Sequence, residues 1–203
     1  MPGMDDGMAA TGLRERKKER TRDAIYDAAM QLFQEHGYAG TTVDDIAAAA
    51  DVSPRTFFRY YAGKEEVLFA RFDETLELLR DFLYDRPADE TVAATIREAS
   101  NQFASLGAAV SPDRMTFDLF HGNEALHGRY LQSFFHLETI VSEWVASRLG
   151  VADTELLPRV AGAVLGASAR VALDVWVDQP GRDLQELLEP SLATLDALLA
   201  GQA

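Results

Sequence analysis

Arg55 and Arg59 stand four residues apart in the string Ser53-Pro54-Arg55-Thr56-Phe57-Phe58-Arg59-Tyr60-Tyr61, among hydroxyl and aromatic side chains. On a helix that spacing brings both guanidinium groups to one face, one turn apart. A planar guanidinium can clasp a phosphate or bond the O6/N7 edge of guanine. The side chains of Thr42, Ser53, Thr56, Tyr60 and Lys64 are of the types that position a duplex through its phosphates. This residue set offers nucleic-acid recognition rather than bond-breaking chemistry. The alternative is that Arg55 and Arg59 are ordinary solvated surface arginines.

Such a face must be held by short, well-capped elements, and residues 42–64 supply the signals for two. Thr42 is placed to N-cap a first helix, with Asp45 three residues on to complete a capping box. Ile46, Ala47 and Ala50 give that helix an apolar side. Asp51 and Val52 form a turn, Ser53 is a second N-cap, and Pro54 suits the first helical position, where its missing N–H costs nothing. Phe57 and Tyr61, one turn apart on another face from the arginines, are assigned to a small hydrophobic core. The pattern is a helix-turn-helix, whose second helix has the shape and side chains for a major groove.

Composition sets the outer limits. The 203 residues are 47% hydrophobic, enough for a substantial core in one or two domains. There is no cysteine, so disulfides, zinc-thiolate sites and cysteine nucleophiles are excluded. The first twelve residues have neither the basic nor the apolar region of a signal peptide. Residues 160–177 are the most apolar run, but Arg170 and Asp174 interrupt it, so no membrane span is expected and a cytoplasmic location is. The formal net charge of −14 argues against a polyanionic partner until its placement is considered. Residues 13–64 hold nine Lys/Arg against eight Asp/Glu, whereas residues 65–203 hold ten against 23. Fields from exposed charges fade over a Debye length of about 8–10 Å, so the local balance decides phosphate contact.

Along the chain, residues 1–12 read as a disordered tail and residues 13–63 as the helix-turn-helix domain. The mixed-charge run from Arg14 to Arg22 is either a solvated helix start with Glu–Lys pairs or a basic arm that touches phosphates or the minor groove. Ile25, Ala28, Ala29, Leu32 and Phe33 repeat at helical spacing, and Gly37 is a natural left-handed cap. Residues 64–203 read as a helical ligand-binding and dimerisation domain, with residues 64–84 as a linking helix. Lys64 in its first turn could hold a phosphate together with the helix N–H groups. Further helices are expected near residues 91–106, from Ser111-Pro112-Asp113 to about residue 125, up to Gly150, from an Asp153 or Thr154 cap to about Val177, and from Asp183 or Leu184 to Leu199. Pro190 should kink the last or delay its start. The fold class is all-α, with about nine helices.

Residues 21–69 resemble the N-terminal DNA-binding domain of the TetR family of bacterial transcriptional regulators. The resemblance rests on Phe33-x-x-x-Gly37-Tyr38, Thr41-Thr42-Val43-x-x-Ile46-Ala47, Ala50-x-Val52-Ser53, Thr56-Phe57-Phe58-Arg59-Tyr60-Tyr61 and Lys64-Glu65 with Leu68. It departs from the family at Asp51, where Gly is frequent; Asp tolerates the left-handed turn conformation. The resemblance implies a homodimer on a palindromic operator, acting as a repressor and released by a small effector. Carried over by position, the DNA contacts are Thr42, Ser53, Pro54, Arg55, Thr56, Phe58, Arg59, Tyr60 and Lys64. The TFFRYY string is similar to a subgroup that includes sensors of acyl-CoA-type ligands.

The remainder carries no motif. Gly162 and Gly166, one turn apart among small residues, could form a dimer interface with Leu192 and Leu195, or could serve internal packing. Phe82, Phe103, Phe117, Phe120, Phe134, Trp144 and Trp176, with His121 and Arg170 as polar anchors, are candidates to line an apolar pocket for a small apolar or amphipathic effector. Arg129 and His136 are further polar candidates. Arg170 could equally pair with Asp174. His121, His127 and His136 lack the spacing of a helical metal pair, so neither metal nor other cofactor is expected. No catalytic residue is assigned: phosphate-loop, HExxH and G-x-S-x-G patterns are all absent from the sequence. A competing reading is a helical small-molecule-binding or protein-interaction module that no longer binds DNA.

Overall fold

The computed structural model describes residues 5–110, 114–179 and 181–199. Among them are nine α-helices and no strand: α1 (Asp5–Gly40), α2 (Val43–Ala49), α3 (Pro54–Tyr60), α4 (Lys64–Asp85), α5 (Val92–Val110), α6 (Arg114–Gly122), α7 (Glu124–Leu149), α8 (Leu156–Asp178) and α9 (Leu184–Leu199). Two compact units divide the chain, Met1–Ala70 and Arg71–Ala203. The division falls inside α4, seven residues past the boundary before Lys64 expected from sequence.

In the first unit, Ile25, Ala29 and Phe33 of α1, Ile46 and Ala47 of α2, Phe57 of α3, and Val67 and Leu68 of α4 are buried. Their spacing follows the helical repeat, and each large side chain removed from water contributes about 1.5–3 kcal/mol. Helix α1 is longer than expected. From Asp5 it already runs through the segment read as a tail. Gly37 interrupts α1 with φ 75° and ψ 161°, a backbone state open to glycine and few other residues. The buried Thr41 hydroxyl then satisfies the freed carbonyls, donating to Leu32 O at 3.2 Å and Gly37 O at 2.9 Å.

The second unit is built on α7, α8, α9 and α5, packed in that order, with α6 against α7. Asn123 ends α6 and caps α7, its side chain accepting from the N–H groups of Ala125 and Leu126. Helix α7 already runs from Glu124, so α6 ends short of the residue 125 expected from sequence. Gly150 closes α7 in the left-handed conformation, φ 65°. The N-cap of α8 is Glu155 with no side-chain bond, so Asp153 and Thr154 do not cap it. Helix α9 starts at Leu184 with Pro190 inside it, so the proline does not delay the start. The proposed start at residues 111–113 lies outside the described residues. Helix α8 is long and apolar enough to cross a bilayer by composition alone. One side of it, including Ala161, Leu165, Ala169 and Leu173, is instead buried in the protein core.

Candidate nucleic-acid interface

The first unit assembles its polar face by local rules. Thr42 and Asp45 form the full capping box: Asp45 N–H donates to Thr42 Oγ1 at 3.2 Å, and Asp45 Oδ2 accepts from Thr42 N–H at 2.9 Å and from its hydroxyl at 2.6 Å. The Thr42 hydrogen bonds hold the Asp45 carboxyl below its ordinary pKa. Asp51 sits at φ 53°, the left-handed state that joins α2 to α3. Ser53 caps α3, accepting from Thr56 N–H at 3.1 Å, and its hydroxyl lies 3.0 Å from Thr56 Oγ1. Pro54 occupies the first helical position.

Seven residues of α3 are thereby fixed with one face in and one face out. Phe57 is 0% and Tyr61 2% exposed, while Phe58 is 57% exposed and Pro54, Arg55 and Arg59 are exposed with it. Thr56 and Tyr60 are half-buried at the edge, and Thr42 and Ser53 are exposed. The Arg59 guanidinium stacks over the Tyr60 ring at 5.1 Å and donates to its hydroxyl at 3.4 Å. Arg55 and Arg59 thus share an outward face with Phe58. Tyr61 is secured at its polar tip as well: Arg22 Nε donates to Tyr61 Oη at 3.4 Å, Tyr61 Oη donates to Arg22 O at 3.4 Å, and the guanidinium lies 5.5 Å from the ring centre.

Lys64, expected as a phosphate contact, is also engaged within the first unit itself. Its ammonium donates to Tyr38 O at 2.6 Å and Thr41 O at 2.9 Å and sits 4.3 Å from the Tyr38 ring centre. Two of its three donors therefore tie the start of α4 to the last turn of α1 and to Thr41 just after it. The first turn of α4 also carries Glu65 and Glu66, and a Glu66 carboxylate oxygen accepts from Ala62 N–H. A carboxylate at a helix N-terminus takes the place a phosphate would occupy. The signal for this latch was in the sequence, as an aromatic at 38 and two acids after the lysine, but only the fold brings Tyr38 to Lys64.

In the second unit the candidate aromatics separate into two groups. Phe117, Phe120, His121 and Phe134 gather around the buried Tyr130, with ring centres 5.0–6.2 Å from it, and His127 joins them. Tyr130 Oη donates to Asp174 Oδ1 at 2.7 Å, and Arg170 Nη1 lies 3.1 Å from Asp174 Oδ2. Arg170 is thus an ion-pair partner of Asp174, and burial together with that carboxylate raises the Tyr130 phenol pKa. Phe82 and Trp144 carry stacked arginines instead, Arg86 and Arg148, each 5.2 Å from a ring centre, and Trp176 is half-buried. Arg129, also a polar candidate, lies 2.6 Å from Asp73. Phe103 and Leu195 lie outside the residues whose side chains are described. An apolar cavity of about 40 Å³ is lined by Leu79, Leu83, Ile96, Ala99, Ser100, Leu137, Val141, Leu165, Ala169 and Leu188, a set that includes none of the candidate aromatics. Aliphatic residues from five helices made it, and their convergence had no local signal.

The glycines expected at a dimer interface point inward. A Cβ at Gly162 would lie 2.3 Å from Glu138 O, and one at Gly166 would lie 2.3 Å from Glu138 Cγ and 3.1 Å from Phe134 O. Both glycines serve close packing of α8 on α7, and Leu192 is likewise only 2% exposed. What α8 leaves open is the opposite stripe, Leu156, Ala163, Ala167 and Val171, and Phe135 of α7 is exposed as well.

Comparison with known proteins joins the two units. The family model for bacterial regulatory proteins of the tetR family matches residues 25–70, and that for the MftR C-terminal domain matches residues 90–200. The HTH-type transcriptional regulator TcmR of Streptomyces glaucescens is 33% identical over 197 residues, covering 92% of this chain and 86% of its own length. The transcriptional regulator MftR of Mycobacterium tuberculosis is 28% identical over 92% of this chain and 93% of its own. Among solved structures, Thermus thermophilus FadR, a TetR-family repressor in complex with lauroyl-CoA, superposes with a TM-score of 0.61 at 28% identity, covering 86% of this chain and 92% of that one. With both units matched in order and one relative above 30% identity along nearly the whole length, the chain belongs to the TetR family of bacterial transcriptional regulators.

Proposed function

We propose that this protein is a homodimeric, effector-responsive repressor that reads a palindromic operator with two copies of α3. The observation that carries the reading is the two-sided α3: Phe57 and Tyr61 sealed into the first unit, Arg55, Phe58 and Arg59 turned to solvent. Arg55 and Arg59 contact base edges or phosphate, while Thr42, Ser53, Thr56 and Tyr60 set the register on the backbone and Pro54 and Phe58 pack against sugar and base edges. Lys64 acts through its latch to Tyr38 and Thr41. As a DNA-binding protein it works in the cytoplasm.

The dimer forms through the outer stripe of α8 and the exposed side of α7. Leu156 is 77%, Phe135 62% and Val171 49% exposed, and large apolar side chains are costly for a monomer to leave in water. A two-fold copy of the same pair would complete a four-helix bundle. The effector enters the second unit at the aliphatic cavity, where Ser100 supplies the one hydroxyl among the described lining residues. A volume of about 40 Å³ is far below the ~300–1,000 Å³ of a ligand site, so occupation must spread α4, α5 and α7 to α9. An apolar or amphipathic molecule suits that lining, and the similar Thermus thermophilus FadR is in complex with lauroyl-CoA. Because α4 is shared by both units, spreading it alters the spacing of the two reading heads.

The test is retention of a duplex from the protein's own promoter region, measured at two salt concentrations. Specific binding that weakens steeply with salt is the expected outcome. No retained duplex at low salt would overturn the reading in favour of a helical ligand-binding or interaction module without DNA binding.

A further inference from the structure

The segment of α1 that precedes the core is the most concentrated positive charge in the chain. Residues 14–22 hold six Lys/Arg against two Glu, in a protein whose net charge is −14. Residues 16–20 are all exposed, whereas Ile25, Ala29 and Phe33 further along the same helix are buried. A helical stretch exposed on every side adds nothing to the apolar core and offers its side chains to solvent. Its root is fixed. Arg22 is joined to Tyr61, the C-cap residue of α3, by both hydrogen bonds and a stacked guanidinium. The strip therefore begins beside the end of the recognition helix and extends about 12 Å from Arg22 to Arg14, at 1.5 Å per residue. That is several phosphate steps along a duplex, which carries one negative charge per about 1.7 Å of axis.

We infer that this strip is a second DNA contact, gripping phosphates that flank the half-site read by α3, without reading sequence. The inference rests on operator binding as proposed above. Lys17, Lys18 and Arg20 supply the contacts; Arg22 positions them by holding α1 against α3. Phosphate contacts raise affinity for all sequences alike, so the strip adds affinity and search speed while Arg55 and Arg59 keep the specificity.

The experiment compares wild type with the exposed triple variant Lys17→Gln/Lys18→Gln/Arg20→Gln on the operator duplex and on a scrambled duplex, from 50 to 200 mM salt. Each phosphate contact removed flattens the slope of log K against log salt by about 0.9. Two or three lost contacts shrink the wild-type advantage by about 10- to 40-fold between 50 and 200 mM salt. Operator and scrambled affinities fall by the same factor, and the charge-preserving Lys17→Arg/Lys18→Arg/Arg20→Lys variant keeps the wild-type slope. An unchanged slope in the neutral variant, with wild type still binding its operator specifically, overturns the inference while leaving the operator reading intact. So does tighter binding by the variant, which would mean that the strip is covered by the protein's own acidic surface. Failure of wild type to bind any operator instead removes the reading on which the inference stands.

Discussion

Replacing Gly162 by alanine tests the contact that sets the geometry of the second unit. The new Cβ would sit 2.3 Å from Glu138 O and 3.2 Å from both Glu138 C and Ser142 Cβ. The first of these is backbone in the middle of α7, so it cannot swing aside and the two helices must part. Overpacking of this kind costs about 1–3 kcal/mol, and a main-chain obstacle puts it at the upper end. Alanine recovers about 1 kcal/mol of helix propensity, which leaves a net loss of about 1–2 kcal/mol. For a chain of this size that lowers Tm by about 2–8 °C. Gly166→Ala meets the Glu138 side chain at 2.3 Å, which can move, and Phe134 O at 3.1 Å, so its net cost is below about 1 kcal/mol. Gly128→Ala in α7 meets nothing within 4 Å and should stabilise by about 1 kcal/mol. Urea unfolding followed by circular dichroism, at one protein concentration because dimerisation adds to apparent stability, ranks the three. If Gly162→Ala is as stable as wild type, or Gly128→Ala is the worst of the set, the close packing of α7 on α8 is wrong.

Three other outcomes follow from the first unit and the loop after α4. Arg55→Ala and Arg59→Ala should each cost about 1–3 kcal/mol of operator affinity and leave the dimer intact, as read by gel shift and sedimentation; a variant that dissociates and unfolds would show a structural role. Lys64→Met should lower the thermal midpoint, because it leaves Tyr38 O and Thr41 O without their ammonium donor; loss of a charge-assisted bond costs about 1.5–3 kcal/mol, whereas a side chain used only for phosphate contact would leave the midpoint unmoved. Glu90 accepts hydrogen bonds from Arg86 and Thr95, which bring its pKa from 4.5 to about 2. A lowered carboxylate pKa stabilises the fold above the ordinary value and loses that contribution as pH falls. The stability difference between wild type and Glu90→Gln should therefore be constant at neutral pH and vanish on acidification toward about pH 2. A constant difference down to that pH would disprove the linkage.

The first unit was readable because its determinants are short-range. Thr42 and Asp45 are three residues apart, Ser53 and Pro54 adjacent, and Phe57 and Tyr61 one turn apart, so sequence distance equals spatial distance. The tie made by Lys64 was not legible, because its partners, Tyr38 and Thr41, lie 26 and 23 residues away. The second unit failed in the same manner. A glycine pair one turn apart marks a close helix approach, which was correct in kind, but nothing local says whether the approaching helix is α7 of the same chain or a second copy. Aromatic residues drew attention as pocket candidates, yet a flat ring fills space efficiently, and Phe117, Phe120 and Phe134 pack on Tyr130 while branched aliphatics leave the void. Gly37 and Gly150 were legible for the opposite reason, since a positive φ is a property of one residue.

Energetics explain why a weakly basic reading head is enough. One copy of α3 offers two arginines able to read base edges, worth about 1–3 kcal/mol of discrimination each, or about 2–6 kcal/mol per head. Specific operator binding runs at about 10⁻⁸ to 10⁻¹¹ M, which is about 11–15 kcal/mol. A single head falls short even with its phosphate contacts, and the 13 excess acids of residues 65–203 oppose any broad electrostatic compensation. Two heads on successive major grooves, about 34–36 Å apart, close the gap only while their spacing matches the duplex. The same arithmetic makes the switch inexpensive: an effector need not unfold α3 or mask Arg55 and Arg59. It has only to bind the spread form of the second unit about 10⁴-fold better than the narrow form to move the population from 1:99 to 99:1. An effector that bound both forms equally would leave the operator occupied however tightly it bound.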